Sequence, residues 1–190
     1  MPKEAYIFLG ALVTAFVGFI AARFTSGVQL KIAKDNSEKD IRLQSARLAD
    51  ERLKSEVALE RDKLEKLHKV LSIISFENSQ TMSYIQSSET DLSDFRKRYI
   101  ANCDRLHDAL AITDLYYPDM SEPIREIFGQ ANCFWGYQEN VIRIDIKTNE
   151  QGWQSNLSKV LDAGTEINKR VKSLQYQISE RGKELNKRLW

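Results

Sequence analysis

Apolar and polar positions change period several times along this chain, and each change marks an element. From Ala5 to Ala22 the sequence AYIFLGALVTAFVGFIAA holds 18 residues without an ionisable group apart from the hydroxyl of Tyr6. As a helix it is about 27 Å long at about 1.5 Å per residue, close to the roughly 30 Å of a bilayer's hydrocarbon core. Residues 28 to 86 contain neither Pro nor Gly and predict one long helix. Its first seam, Leu43, Ala46, Asp50 and Leu53, is interrupted, whereas Val57, Glu60, Leu64, Leu67, Leu71 and Ile74 keep the alternating three and four spacing of a heptad. Packing is therefore expected to begin near Leu53, after a solvated spacer about 37 Å long. Acid-before-base pairs four apart, such as Asp35 with Lys39 and Asp62 with Lys66, support the exposed helix.

Three further helices follow. SSETDLSDF breaks the first one, with Ser88 or Thr90 as a candidate cap and Asp91 and Asp94 in the next first turn. The second helix runs to about Thr113 and buries Leu92, Phe95, Tyr99, Leu106 and Leu110. Pro118 stops it, and Ser121-Glu122-Pro123 is read as the start of a third helix over about 122–146. After TNEQGWQSN, a fourth carries Leu157, Val160, Gly164, Ile167, Val171, Leu174, Ile178, Leu185 and, one position off the seam, Leu189. The chain is thus read as all-α: a transmembrane anchor over 1–24, a helical stalk over 25–52, and an antiparallel four-helix, coiled-coil-like bundle over 53–190. Antiparallel packing of the fourth helix on the first would carry it back to about Leu53.

Composition narrows the function classes. A net charge of +1, with both signs interleaved, lacks the single-sign field that gathers phosphate backbones, so no nucleic-acid partner is expected. Only Lys3, beside Glu4, precedes the apolar segment, and no Ala-x-Ala site follows it, which favours an uncleaved signal-anchor over a signal peptide. Arg23, Lys31, Lys34, Lys39 and Arg42 lie just after the span, and basic flanks stay in the cytoplasm. The expected topology is single-pass, with the N-terminus outside and the C-terminal domain cytoplasmic, the bilayer being contacted through residues 5–22. Gly10, Thr14, Gly18 and Ala22 recur every fourth residue, with Ala11 and Ala15 beside them. They form a stripe on which a second copy of the helix could pack as a homo-oligomer.

Candidate chemistry is sparse. Cys103 and Cys133 lie nearly equidistant from Pro118, so a helical hairpin sets them at similar heights as a possible redox pair; two reduced thiols is the favoured alternative in a cytoplasmic domain. Asp104 and His107 share a helix face but lack the second carboxylate–histidine copy that a metal bundle needs. The basic run Arg96-Lys97-Arg98 sits among acids and reads as a solvated face. Tyr116, Tyr117, Phe128, Phe134, Trp135 and Tyr137 cluster around one hairpin. Most of such a group belongs to a core, but Tyr116, Tyr117, Phe134 and Trp135 are candidates for a partner surface wherever they are exposed. No Gly-rich phosphate loop or nucleophile elbow is present, and no metal or cofactor is expected. The expectation is a non-enzymatic membrane-anchored scaffold that presents its bundle to an unidentified protein. The alternative is a membrane effector that self-associates through its span and perturbs the bilayer when the bundle senses a trigger.

Overall fold

The computed structural model describes residues 3–89 and 91–188, with side chains for residues 10, 13–26, 28–85 and 91–188. Thr90 and Leu189, and the side chains of residues 5–9, Ala11 and Ser88, lie outside the described residues. Five helices follow in order: α1 (Lys3–Glu77), α2 (Gln80–Glu89), α3 (Leu92–Tyr116), α4 (Pro118–Arg143) and α5 (Glu150–Lys187). No strand occurs among the described residues. The chain forms two compact units, Met1–Ser55 and Glu56–Trp190.

The first unit is the N-terminal part of α1, which includes one segment long and apolar enough to cross a membrane. Every side chain described in it is exposed. Thr14 and Thr25 donate their hydroxyls to the carbonyls four residues back, Gly10 at 2.8 Å and Ala21 at 2.7 Å, so neither hydroxyl is left without a partner in an apolar setting.

In the second unit the seams close on one another. Buried positions recur at spacings of three, four or a full heptad on the remainder of α1 (Val57, Leu64, Leu67, Leu71, Ile74), on α4 (Met120, Ile124, Ile127, Ala131, Phe134) and on α5 (Val160, Gly164, Ile167, Val171, Leu174, Ile178, Leu185). Side-chain contacts fix the directions. Along α1 and α5, Arg61 meets Asn186, Ser72 meets Gln175 and Ser75 meets Asn168, so numbers rise on one helix as they fall on the other. Phe95 with Trp135, Tyr99 with Asn132, His107 with Phe128 and Asp114 with Arg125 show the same for α3 and α4. Asp119 with Arg181, and Asn140 with Asn156, show it for α4 and α5.

The helix ends differ from the expected ones for physical reasons. The long first helix stops at Glu77 instead of continuing to 86. Asn78 puts a buried amide at the next seam position, and the Ser79 hydroxyl caps α2 by accepting from the Met82 amide at 3.3 Å. Asp91, not Ser88 or Thr90, caps α3, accepting from the Ser93 amide at 3.1 Å. Pro118 both ends α3 and occupies the first turn of α4, so that helix starts four residues before the expected Glu122. Asn149 caps α5 by accepting from the Gly152 amide at 2.9 Å. A Cβ on Gly152 would lie 2.5 Å from that cap side chain, so the residue is Gly by close approach. One core position is paradoxical: Asn102 on α3 is 1% exposed, and neither amide atom finds a hydrogen-bond partner among the described residues.

Candidate interaction surface

Two adjacent tyrosines at the α3–α4 corner face opposite ways. The residue before a proline is driven out of the helical region, and Tyr117, at φ −141° and ψ 64°, makes the corner in a single residue. Its amide closes α3 on the Thr113 carbonyl at 2.8 Å, and its ring turns inward, 4% exposed. The phenol donates to the Glu60 carbonyl on α1 at 3.1 Å. Burial pushes this phenol above the ordinary tyrosine range; Glu60 adds to the effect and Arg181 opposes it. The Arg181 guanidinium stands over the ring, 5.4 Å from its centre, and pairs with Asp119 at 2.6 Å.

Around Tyr117 lies a cleft of about 270 Å³ lined by Glu60, Leu64, Arg181, Glu184 and Arg188. Arg188 reaches Glu60 at 3.6 Å, so the rim's charges are largely matched. Pockets that hold small molecules usually run from about 300 to 1,000 Å³. This one suits a single inserted side chain better than a separate ligand. Tyr116 points outward, 48% exposed, with the Lys63 ammonium 4.0 Å from its ring centre. Leu59, 56% exposed, precedes Lys63 by one helical turn, so Leu59, Lys63 and Tyr116 share one surface of the second unit.

Phe134 and Trp135 are not on a surface either, and the expectation of a partner surface is corrected for them as it is for the Tyr117 ring. Phe134 is fully buried and Trp135 is 2% exposed. The Trp135 indole N–H donates to Asn78 Oδ1 at 2.7 Å, while Asn78 Nδ2 donates to the Ile74 carbonyl at 2.7 Å. Ser83 donates to Gln138 Oε1 at 2.7 Å, and Gln138 Nε2 donates back to the Ser83 carbonyl at 3.1 Å. Gly164 lets the Asn78 carbonyl approach α5; a Cβ there would lie 2.6 Å from that oxygen. The break between α1 and α2 is thus a buried polar joint held by α4 and α5. Sequence reasoning missed Asn78, Ser83 and Gln138. The polar run Asn78-Ser79-Gln80 is the one signal that could have drawn attention to it.

The remaining candidates form no catalytic constellation among the described residues. Cys103, half-buried, and Cys133, exposed, are both free thiols. Contact with the Cys103 thiol, then burial, holds the Tyr99 phenol above its ordinary range. His107 is exposed; its Nδ1 lies 2.9 Å from the Cys103 carbonyl and its ring meets Phe128 edge-on. No group of three metal-binding side chains occurs among the described residues. Each cation of the 96–98 run has an acid: Arg96 with Glu139 at 2.8 Å, Lys97 with Asp94 at 2.8 Å and Arg98 with Glu77 at 2.7 Å. Gly10 and Gly18 have open space where a Cβ would stand, and Thr14 and Ala22 beside them are exposed.

Among the described residues the chain is all-helical, with one helix long and apolar enough to cross a membrane. Comparison with protein-family models, with curated proteins and with solved structures gave no match.

Proposed function

We propose that the protein is a membrane-anchored helical interaction module. Residues 5–22 hold it in the bilayer, the charged stretch over 25–52 connects anchor and domain, and an antiparallel, coiled-coil-like bundle presents a cytoplasmic docking surface. The observation that carries this reading is the change of environment along α1. Every described side chain of its apolar N-terminal part is exposed, while its C-terminal part is built into the core with α3 and α5. Leu59, Tyr116 and the cleft over Tyr117 are the surface we assign to a protein partner, because exposed apolar residues beside a side-chain-sized cleft provide an anchor point.

Crosslinking in intact membranes, followed by affinity isolation and mass spectrometry, tests the proposal. One protein is expected to be recovered with the full chain and lost with a Tyr116→Arg variant of unchanged stability. Equal recovery with both would remove this surface from the account.

A second reading is favoured by the exposed small-residue row Gly10, Thr14, Gly18 and Ala22. In it, copies of the chain associate through their spans and perturb the bilayer when the bundle is triggered. Recovery of self-oligomers alone, lost on Gly10→Leu/Gly18→Leu substitution and accompanied by dye entry on overexpression, would favour it over the scaffold.

A further inference from the structure

We propose that residues 23–34 form a binding site for anionic phospholipid, a reading that rests on the proposed membrane anchor and names the lipid chemistry it meets. Between Glu4 and Asp35 the chain has no acidic residue, yet it carries Arg23, Lys31 and Lys34. At about 3.6 residues per turn these three fall within an arc of about 80° on α1, and Phe24 and Val28 border that arc. Phe24 is 75% and Val28 56% exposed, and none of the three cations has a carboxylate within salt-bridge distance among the described residues. Arg23, Phe24, Val28 and Lys31 line one shallow depression of about 360 Å³. The Arg23 guanidinium folds back over the Phe19 ring, 5.7 Å from its centre, which keeps its charge at the end of the apolar segment.

These features complement an anionic leaflet. A lipid phosphate meets Arg23 at the end of the apolar segment, Phe24 and Val28 lie among the headgroups, and Lys31 and Lys34 face the anionic surface beyond them. Lys54, Lys97 and Arg98, by contrast, are each engaged by a neighbouring acid. An anionic leaflet attracts nearby Lys and Arg, and the attraction weakens over about a Debye length, so the cations act in the order of their distance from the span, Arg23 first, then Lys31 and Lys34, with Lys39 and Arg42 weaker still.

The test uses the full chain in nanodiscs containing phosphatidylcholine and phosphatidylglycerol, each supplied in turn as a photo-crosslinking analogue, with crosslinks mapped by mass spectrometry. Phosphatidylglycerol is expected to label residues 23–34 at least about fivefold more than phosphatidylcholine. The preference falls to parity in an Arg23→Gln/Lys31→Gln/Lys34→Gln variant and persists in Lys39→Gln/Arg42→Gln. Equal labelling by both lipids in the unaltered chain would overturn the inference and leave the anchor standing. Loss of the preference on adding millimolar inorganic phosphate would also overturn it, making the cluster a free-anion site. Absence of labelling by either lipid would overturn the anchor together with the inference.

Discussion

Leu43, Leu48 and Leu53 belong to the same helix as Leu64, Leu67 and Leu71, yet the first three are exposed and the last three are buried. Two things separate the regions. The earlier seam places Asp50 where an apolar side chain would be needed, whereas the later one is apolar apart from Glu60, whose backbone carbonyl receives the Tyr117 phenol. The partner helix also runs out: Asn186 and Arg188, at the end of α5, already sit against Arg61 and Glu60. A long helix is thus held by its neighbours where it has them and by its own local pairs, such as Lys54 with Asp50 at 2.7 Å, where it does not.

The sharpest way to break this contrast is to truncate one leucine on each side. Leu71→Ala is expected to cost about 2–5 kcal/mol of stability, a buried side chain being replaced by a cavity. Leu43→Ala should stay within about 0.5 kcal/mol. Urea unfolding of the full chain in detergent reads both, and similar losses would mean that the stalk is packed too.

A comparison of two glycines on α5 sharpens the role of the joint. Gly164→Ala pushes a methyl against the Asn78 carbonyl and should destabilise by about 1–3 kcal/mol. Gly182, which has open space around it, should gain about 0.5–1 kcal/mol on the same substitution. At the same joint, Trp135→Phe keeps most of the ring but strands the buried Asn78 Oδ1, at a cost of about 1–3 kcal/mol.

Asn102 predicts the opposite sign. Replacing its unpartnered amide, Asn102→Leu should raise the urea midpoint, with a gain of about 1 kcal/mol once the desolvation cost of the amide is removed. Acid sensitivity gives the smallest effect. A hydrogen bond from Arg96, with further help from Arg143, holds the Glu139 carboxyl below the usual range. The stability it contributes is therefore present above the ordinary glutamate value and is lost as pH falls through its lowered one. Glu139→Gln should flatten the acid limb of the unfolding curve slightly and leave the neutral region with a small, pH-independent change.

Much of this arrangement is legible in the residues. The α5 seam from Val160 to Leu185 is readable because its three and four spacing runs unbroken to Ile178 and resumes a heptad later at Leu185, and all seven of those seam positions are buried. Tyr116 and Tyr117 were legible as candidates, but their opposite orientations were not, because Pro118 decides them by taking Tyr117 out of the helix. Trp135 is readable as a core-facing residue of the third helix from its spacing with Ile124, Ile127 and Ala131, but the spacing does not show that Asn78 stands opposite its indole. The break at Asn78 was hidden for the same reason. Asn78 occupies the next seam position after Ile74, with no Gly or Pro beside it, and its partners lie 57 residues away at Trp135 and on α5 at Gly164.

Hydrogen exchange along α1, with the full chain in lipid nanodiscs, tests the central claim most directly. Amides of residues 57–77 should be protected by the core and those of the apolar segment over 5–22 by lipid, while residues 28–55 exchange orders of magnitude faster through local opening of an unsupported helix. Protection of 28–55 to the level of 57–77 would contradict the account, because that stretch would then be packed against a partner that a solvated stalk does not have.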